Sequence, residues 1–358
     1  MQLSSLGWDD FFAPAFASLN RPDLIPARVA LAHRHACTLY APPGELRGIC
    51  TGRLLHTTAT AADLPAVGDW VAVRPRPGEA SADIHAVLPR RTKFSRRAAG
   101  DDREQIVATN IDTVFLVTAL DQNYRLRRIE RYVAVAWESG AQPVVVLNKS
   151  DLHADPAAII SAVATVAPGV PVVALSAAHD ADPALALAPW LSPGRTVALL
   201  GSSGVGKSTL INRLLHTARQ LTSPVSEAVG KGRHTTTHRE LIATPSGALV
   251  IDTPGMRELA LWDVTAGALD GTFADVAALA AQCRFHDCAH GSEPGCAIQA
   301  ALDDGSLDFG RWQGFQKLRR EQAYAARKAD PRLARENKAA WKKIHQGARA
   351  RMREKYGD

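Results

Sequence analysis

The sequence predicts an α/β protein in three parts: a small N-terminal β-barrel of OB type, a central parallel sheet covered by helices, and a helical C-terminal region. Three observations predict it. Residues 27–97 run as short alternating segments between Pro/Gly turns, as in "ARVALAHRHACTLYA", "ELRGICTGRLL" and "GDWVAVRP", the pattern of a small all-β barrel or sandwich, of which the OB-type barrel is preferred. Residues 113–254 hold five apolar, β-rich runs separated by helical stretches, which argues for a largely parallel sheet with both faces covered. After Asp263 the chain turns Ala-rich and passes through a dense Cys/His group into basic helical sequence.

The whole-chain numbers agree with this division. At 358 residues the chain is too long for one core, and 46% apolar with 22% charged residues excludes a disordered protein. The net charge of +6 is uneven: from Arg311 onward 15 Lys/Arg face 5 Asp/Glu, leaving the rest at −4. Such a tail suits a polyanion, although a solvated charged helix has the same composition. Five cysteines, three of them beside histidines, fit metal binding in a reducing compartment better than a disulfide framework. The start, "MQLSSLGWDDFF", is acidic and lacks the basic opening of a signal peptide. The uncharged stretch 156–178 is broken by Pro168, Gly169 and Pro171. It reads as a short helix, a turn and a buried strand rather than a membrane span. The expectation is a cytoplasmic monomer.

The elements follow in order. Residues 1–24 form an amphipathic arm, with Trp8, Phe11, Phe12 and Phe16 near helical spacing. Residues 25–98 form the barrel. Its exterior is expected to carry Arg28, His33, Arg34, His35, Arg47 and Arg53, with Tyr40 or Trp70 as a stacking face for nucleic acid; the alternative is core aromatics and solvated charges. Residues 89–105 are a polar linker or exposed loop. The region 105–265 carries strands at 113–120, 143–149, 171–177, 196–202 and 248–254, and 266–358 is the C-terminal domain.

The chemistry begins with "GSSGVGKST": Gly201, Ser202, Ser203, Gly204, Val205, Gly206, Lys207, Ser208 and Thr209. It follows the strand "TVALL" and opens the helix "STLINRLL", the setting a phosphate-binding loop requires. Its backbone N–H groups and the helix N-terminus can wrap phosphates, Lys207 can reach the β- and γ-phosphates, and Ser208 can ligate Mg²⁺. One strand later "VIDTPG" offers Asp252 for Mg²⁺ through water and the Gly255 N–H for a γ-phosphate. Between them "GKGRHTTTHRE" has the place of a first switch. One of Thr235, Thr236 or Thr237 is expected on Mg²⁺, with Thr236 favoured.

The base is read by "NKSD", Asn148, Lys149, Ser150 and Asp151, at the end of an apolar run. An Asp carboxylate accepts from guanine N1–H and its 2-amino group. Adenine lacks this donor pair, a mismatch worth ~10⁴ or more in discrimination. The Lys149 stem is expected over the base, Asn148 between the loops, and Ser176–Ala177 at the guanine carbonyl. The order of these parts is base loops, phosphate loop, switches, a cyclic rearrangement of the usual order. The second switch then leads straight into the C-terminal domain, so nucleotide state is expected to move that domain.

Two further features need chemistry of their own. After D-x-x-G many GTP-cleaving proteins carry a water-positioning Gln; here it is Met256. His234 is the nearest replacement, as an imidazole can orient water or take its proton; a partner is the other source. The group Cys283-x4-Cys288-x-His290-x5-Cys296 is a Cys₃His set for one structural Zn²⁺, with His286 as an alternative ligand. Cys37 and Cys50 read as buried thiols.

Together, "GDWV", "NKSD", "GSSGVGKST", "GRHTTT", "DTPG" and C-x4-C-x-H-x5-C resemble the RsgA (YjeQ) family of circularly permuted GTPases, which act in maturation of the small ribosomal subunit. The resemblance covers about residues 27–300. It implies an OB domain, a circularly permuted P-loop GTPase domain and a zinc domain, with the flanking domains gripping ribosomal RNA. It also implies GTP hydrolysis to GDP stimulated by the small subunit, and His234 as the catalytic residue. Two alternatives stay open: a GTP-gated RNA-binding module with little turnover, and a permuted GTPase of the large subunit, against which the barrel and Cys₃His pairing argues.

Overall fold

The computed structural model describes residues 1–33, 35–97, 104–122, 124–216, 239–252, 272–291 and 293–329. It divides into two compact units, 1–262 and 263–358. His234, the three switch threonines, Gly255, Met256, Arg34 and the chain beyond 329 lie outside the described residues, as does the segment expected to couple the second switch to the C-terminal domain.

In the first unit, strands β1 (Ile25–Ala32), β2 (Cys37–Ala41), β3 (Gly44–Cys50), β4 (Trp70–Pro75) and β5 (Ser81–Val87) close a barrel. The order is β1-β2-β3-β5-β4, and β4 returns to β1 from Ile25↔Val73 to Arg28↔Trp70. The β3–β5 pair is parallel and the others are antiparallel. This is the five-stranded, Greek-key arrangement of an OB fold. Alternation explains the interior: Ala27 and Val29, Leu39 and Ala41, Val71 and Val73, Ala82 and Ile84 all point inward. Gly48 leaves room for the core there, since a Cβ would lie 2.5 Å from the Leu39 side chain and displace it. Between β3 and β4, the short helix α1 (Gly52–Thr57) starts at Thr51, whose hydroxyl accepts from the Leu54 N–H.

The expected exterior roles of Arg28 and Trp70 are overturned. Trp70 is fully buried, packed edge-on to Trp8 at 4.8 Å, and Leu6, Phe12 and Leu88 complete that cluster. The N-terminal arm is thus a plug on the barrel, because its aromatics bury more apolar surface against Trp70 than they could in water. Arg28 is buried too, and donates to the carbonyls of Leu6, Gly68 and Asn110. Burial pushes its guanidinium down to about 10, so it remains charged at neutral pH. The "GDWV" motif is explained by the same junction. Gly68 adopts φ +92, and a Cβ there would meet the Thr109 carbonyl at 2.1 Å. Asp69 accepts from the Thr109 hydroxyl and the Ala66 N–H and pairs with Arg90 at 2.7 Å.

The expected linker is also different. Residues Lys93–Arg97 (β6) and Glu104–Thr109 (β7) pair as an antiparallel ribbon. Charge masked the pattern: Phe94, Ile106 and Ala108 are buried while Lys93 is exposed.

The second sheet comprises β8 (Thr113–Ala119), β9 (Gln142–Asn148), β10 (Val172–Ala174), β11 (Thr196–Leu200), β12 (Glu240–Ala243) and β13 (Leu249–Asp252), in the order β10-β9-β8-β11-β13-β12. All pairs are parallel except β12–β13. Strand β12 has no counterpart in the sequence reading, and β10 is a half-buried edge strand rather than a buried one. A bridge at Leu31↔Glu240 joins this sheet to the barrel. Along β8, Val114 and Leu116 face one core while Phe115, Val117 and Ala119 face the other. Helices α2 (Leu126–Ser139) and α3 (Ala157–Val166) cover the first through Ile129, Val133 and Val163. Helices α4 (Pro183–Leu187) and α5 (Lys207–Leu214) cover the second through Leu187, Leu210 and Ile211. Each such side chain contributes about 1.5–3 kcal/mol by leaving water, which fixes the sheet as the platform for the loops at its C-terminal edge.

In the second unit, helices Ala274–Ala280, Ala297–Asp303 and Phe309–Ala329 pack through Val276, Ile298, Trp312, Phe315 and Leu318. Arg311 is buried over the Phe273 ring, pairs with Asp275 at 2.6 Å and donates to the Thr272 carbonyl.

Candidate functional site

The loops that carry the nucleotide motifs leave adjacent parallel strands at one edge. Ligand sites in α/β sheets lie at this edge, because the strands end there and helix N-termini point inward. The phosphate loop, residues 201–206, joins β11 to α5. Gly204 and Gly206 hold φ +78 and +93, the left-handed region that favours glycine. A Cβ on Gly201 would meet the Val117 carbonyl at 2.2 Å, so the loop leaves the strand pressed against β8. Lys207 curls back and donates to the carbonyls of Gly201 and Ser202, both at 2.7 Å. Ser208 and Thr209 lie in the first turn of α5. Ser203 is exposed on the loop, and Val205 is buried beneath it.

The base-reading loops close onto this one. Asn148, at the end of β9 and buried, donates from Nδ2 to the Val205 carbonyl at 2.7 Å and accepts the Ala177 N–H on Oδ1 at 2.9 Å. Lys149 takes φ +61, which turns the chain sharply after the strand, and its ammonium pairs with Asp121 at 2.7 Å. Ser150 and Asp151 follow in a 3₁₀ turn. The Asp151 carboxylate lies 3.8 Å from His179 Nε2. Ser176 is buried; its N–H donates to Asp180 Oδ2 at 2.8 Å and its hydroxyl accepts from the His179 N–H. Arg213 of α5 then caps the turn by donating to the carbonyls of Asp180 and Ala181. Asp252, nearly buried, ends β13 at the same edge.

Thus the structure brings Asn148, Ala177 and Val205 into direct contact and places Lys207, Ser208 and Asp252 at the same edge. Among the residues that escaped sequence reasoning are Asp121, His179, Asp180 and Arg213. None belongs to a motif with local spacing. Each matters through a partner 28 or more residues away in the cases of Asp121, His179 and Arg213.

The second unit holds the cysteine group. The ligand atoms of Cys283, Cys288, His290 and Cys296 all lie within 4.8 Å of one another. Cys283 Sγ is 3.5 Å from His290 Nδ1 and 3.9 Å from Cys296 Sγ, and Cys296 Sγ is 3.6 Å from the same nitrogen. A tetrahedral ion with bonds of about 2.3 Å to sulfur sets its ligands about 3.7 Å apart, so the donor set fits a metal ion. The cysteines are all free thiols. His290 takes φ +61 and stacks edge-on to Trp312 at 5.6 Å, which fixes its ring. His286 is exposed and outside the cluster. The alternative ligand is therefore set aside: the turn between Cys283 and Cys288 points that imidazole to solvent.

Among the described residues, no helix is long and apolar enough to cross a membrane.

Comparison with known proteins gives one result throughout. The family model described as "RsgA GTPase" matches residues 87–262. The chain is 64% identical to "Small ribosomal subunit biogenesis GTPase RsgA" of Opitutus terrae, over 99% of this chain and 98% of that protein. It is 45% identical to the protein of the same name from Syntrophotalea carbinolica, over 91% of each. Among solved structures, YjeQ from Thermotoga maritima superposes with a TM-score of 0.63 at 24% identity, covering 84% of this chain and 99% of that one. A structure described as YloQ, a circularly permuted GTPase, gives 0.61 at 22% identity over 84% of this chain. With the permuted order of loops rebuilt into one site and a near-complete match to these relatives, the chain belongs to the RsgA family of GTPases, which are GTP hydrolases.

Proposed function

We propose that this protein binds the small ribosomal subunit and acts late in its assembly, cleaving GTP to GDP and phosphate with stimulation by the subunit. The observation that carries the reading is the Asn148 bridge, which joins the guanine loop to the phosphate loop through the Val205 carbonyl. A protein that uses GTP must hold the base and the phosphates at once, and this side chain spans both loops. The relatives' names, small ribosomal subunit biogenesis GTPases, support the substrate context.

The residue roles follow from chemistry. Asp151 reads guanine N1–H and the 2-amino group, with Lys149 beside the base and the Ala177 backbone at its carbonyl oxygen. The phosphate-loop N–H groups, Lys207 and the N-terminus of α5 neutralise the phosphates. Ser208, Thr236 and Asp252 would hold Mg²⁺, which would supply charge neutralisation at the β- and γ-phosphates. Gly255 reads the γ-phosphate, and His234 orients the attacking water in place of the missing Gln. In the second unit Cys283, Cys288, His290 and Cys296 would hold one structural Zn²⁺, a closed site with no ligand position left for catalysis. The basic tail after Arg311 provides a surface for ribosomal RNA. The reading is of a cytoplasmic monomer, in keeping with a Cys₃His set that a reducing compartment keeps available for metal.

The test is phosphate release from GTP and from ATP, each with and without purified small subunits. Strong stimulation by the subunit for GTP alone is the expected result. Equal rates with and without subunits would overturn the assembly role and favour a GTP-gated RNA-binding module, for which Met256 is the motive.

A further inference from the structure

The head of helix α2 carries an unusual charge. Arg125, Arg127, Arg128 and Arg131 fall within its N-cap and first two turns, and no acidic residue lies in the first turn. Cations at the positive end of a helix dipole are unfavourable for the helix itself, so their placement asks for another cause. Arg127 pairs with Glu130 at 2.7 Å, and Arg125 donates to the neighbouring Tyr124 carbonyl. Arg128 reaches across to the phosphate loop: its Nη1 donates to Ser202 Oγ at 3.0 Å, 74 residues away in the chain.

The topology explains why it can. Strands β8 and β11 are parallel neighbours with Leu116 opposite Leu200, and Gly201 is pressed against the Val117 carbonyl. The connection from β8 to α2 and the phosphate loop therefore emerge side by side. Helical side chains lean toward the helix N-terminus, which brings Arg128 over the loop rather than away from it. Ser202 is consequently held on both sides. Its hydroxyl accepts from Arg128, and its carbonyl accepts from Lys207 at 2.7 Å.

We infer that Arg128 is a positioning residue for GTP cleavage, acting through Ser202 to fix the phosphate loop and the resting place of Lys207. The inference rests on the GTPase reading above. The guanidinium ties Ser202 to helix α2 through its hydroxyl, which anchors the residue whose carbonyl receives the Lys207 ammonium. A loop held this way costs no reorganisation when charge develops in the transition state. Ground-state binding depends mainly on the backbone N–H groups and the base loops, whereas the Arg128 contact is to the Ser202 hydroxyl. Its removal is thus a loss in kcat more than in KM.

The experiment compares the full-length wild-type protein with Arg128→Ala, Arg128→Lys, Ser202→Ala, the Arg128→Ala/Ser202→Ala double variant and Arg125→Ala. Each is assayed for basal and subunit-stimulated GTP cleavage, with kcat and KM separated. Arg128→Ala is expected to lower kcat about tenfold, the size of one charge-assisted hydrogen bond, with KM for GTP within about twofold. The double variant is expected to be no worse than the worse single variant, because both break one linkage. Lysine restores part of the rate, since it keeps the charge but not the planar fork. Arg125→Ala leaves both constants unchanged. Multiplicative losses in the double variant, an equal loss in Arg125→Ala, or a change confined to KM would each overturn the inference. These outcomes are ratios between variants and are read on basal turnover as well. The GTPase reading is judged separately, by the wild-type rate and its response to subunits.

Discussion

The Asn148 side chain donates to the Val205 carbonyl at 2.7 Å and accepts from the Ala177 N–H at 2.9 Å, so one buried amide joins three loops. In this chain the base-reading loop precedes the phosphate loop, yet the contact between them is local in space. Permutation moves the chain ends and leaves the parallel neighbours β9, β8 and β11 in place. Asn148→Ala removes the donor and the acceptor together and leaves a buried carbonyl and N–H unsatisfied. Each orphaned group costs about 1–3 kcal/mol. Affinity for GDP and for a non-cleavable GTP analogue is expected to fall together, by roughly 100-fold on that scale. Titration calorimetry with both nucleotides checks this; a loss for one nucleotide only would mean that the bridge serves the γ-phosphate side alone.

Replacement of Asp151 by Asn exchanges a carboxylate that accepts two hydrogen bonds for an amide that both donates and accepts. Guanine then faces a donor at its own donor. Xanthine, which carries a carbonyl where guanine has the amino group, gains a partner. GTP affinity is expected to fall by about 10² or more while xanthosine triphosphate binds better than to the wild type. Competition binding of the two triphosphates gives the answer, and unchanged guanine preference would remove Asp151 from the site.

Arg28 is a structural cation, buried beneath the N-terminal plug with three carbonyl partners. Arg28→Met keeps the apolar stem but strips the donors from the carbonyls of Leu6, Gly68 and Asn110. A loss of about 3–5 kcal/mol in stability is expected, from several buried acceptors left unpaired at once. Denaturant unfolding of the full chain measures it. A surface arginine, as the sequence suggests for this position, would cost less than about 0.5 kcal/mol.

The Cys₃His group predicts one zinc per chain. Cys296→Ser is expected to abolish bound metal and to melt the surrounding turn, because the ligand bonds supply folding energy that the two flanking seven-residue helices do not provide alone. His286→Ala is expected to leave the metal content unchanged, since its ring is outside the cluster. Elemental analysis of purified protein distinguishes the two; loss of metal in His286→Ala would exchange the assigned histidine.

Asp275 and Arg311 give the C-terminal unit a defined response to acid. Partial burial raises the Asp275 carboxyl, but the Arg311 hydrogen bonds and charge outweigh it and hold the group below its ordinary range. A carboxyl with a depressed folded pKa contributes stability that is present above about pH 4 and is lost as pH falls through the folded value. Because Asp275 is half-exposed, the contribution is on the order of 1 kcal/mol. Asp275→Asn is expected to lower stability at neutral pH by that amount and to flatten the acid limb of the unfolding curve. An acid limb as steep as the wild type's would assign the response to other carboxylates.

The local chemistry of the chain carries its function in legible form. Gly-rich turns, a Lys at a helix start, Asn-Lys-x-Asp after an apolar strand and closely spaced cysteines all act over a few residues, so their spacing alone exposes them. The barrel, the parallel sheet and the rearranged order of loops were legible for the same reason. What escaped depends on contacts between distant segments. Trp70 and Arg28 look like surface residues in β-strands until the arm folds over them. The ribbon Lys93–Arg97 with Glu104–Thr109 looks like a linker because its outer face is charged. Asp121 on Lys149, Arg213 on the 180–181 carbonyls and Arg128 on Ser202 have no periodicity that could announce them. Burial and pairing are properties of the folded surface each side chain meets, and only the tertiary structure decides which surface that is.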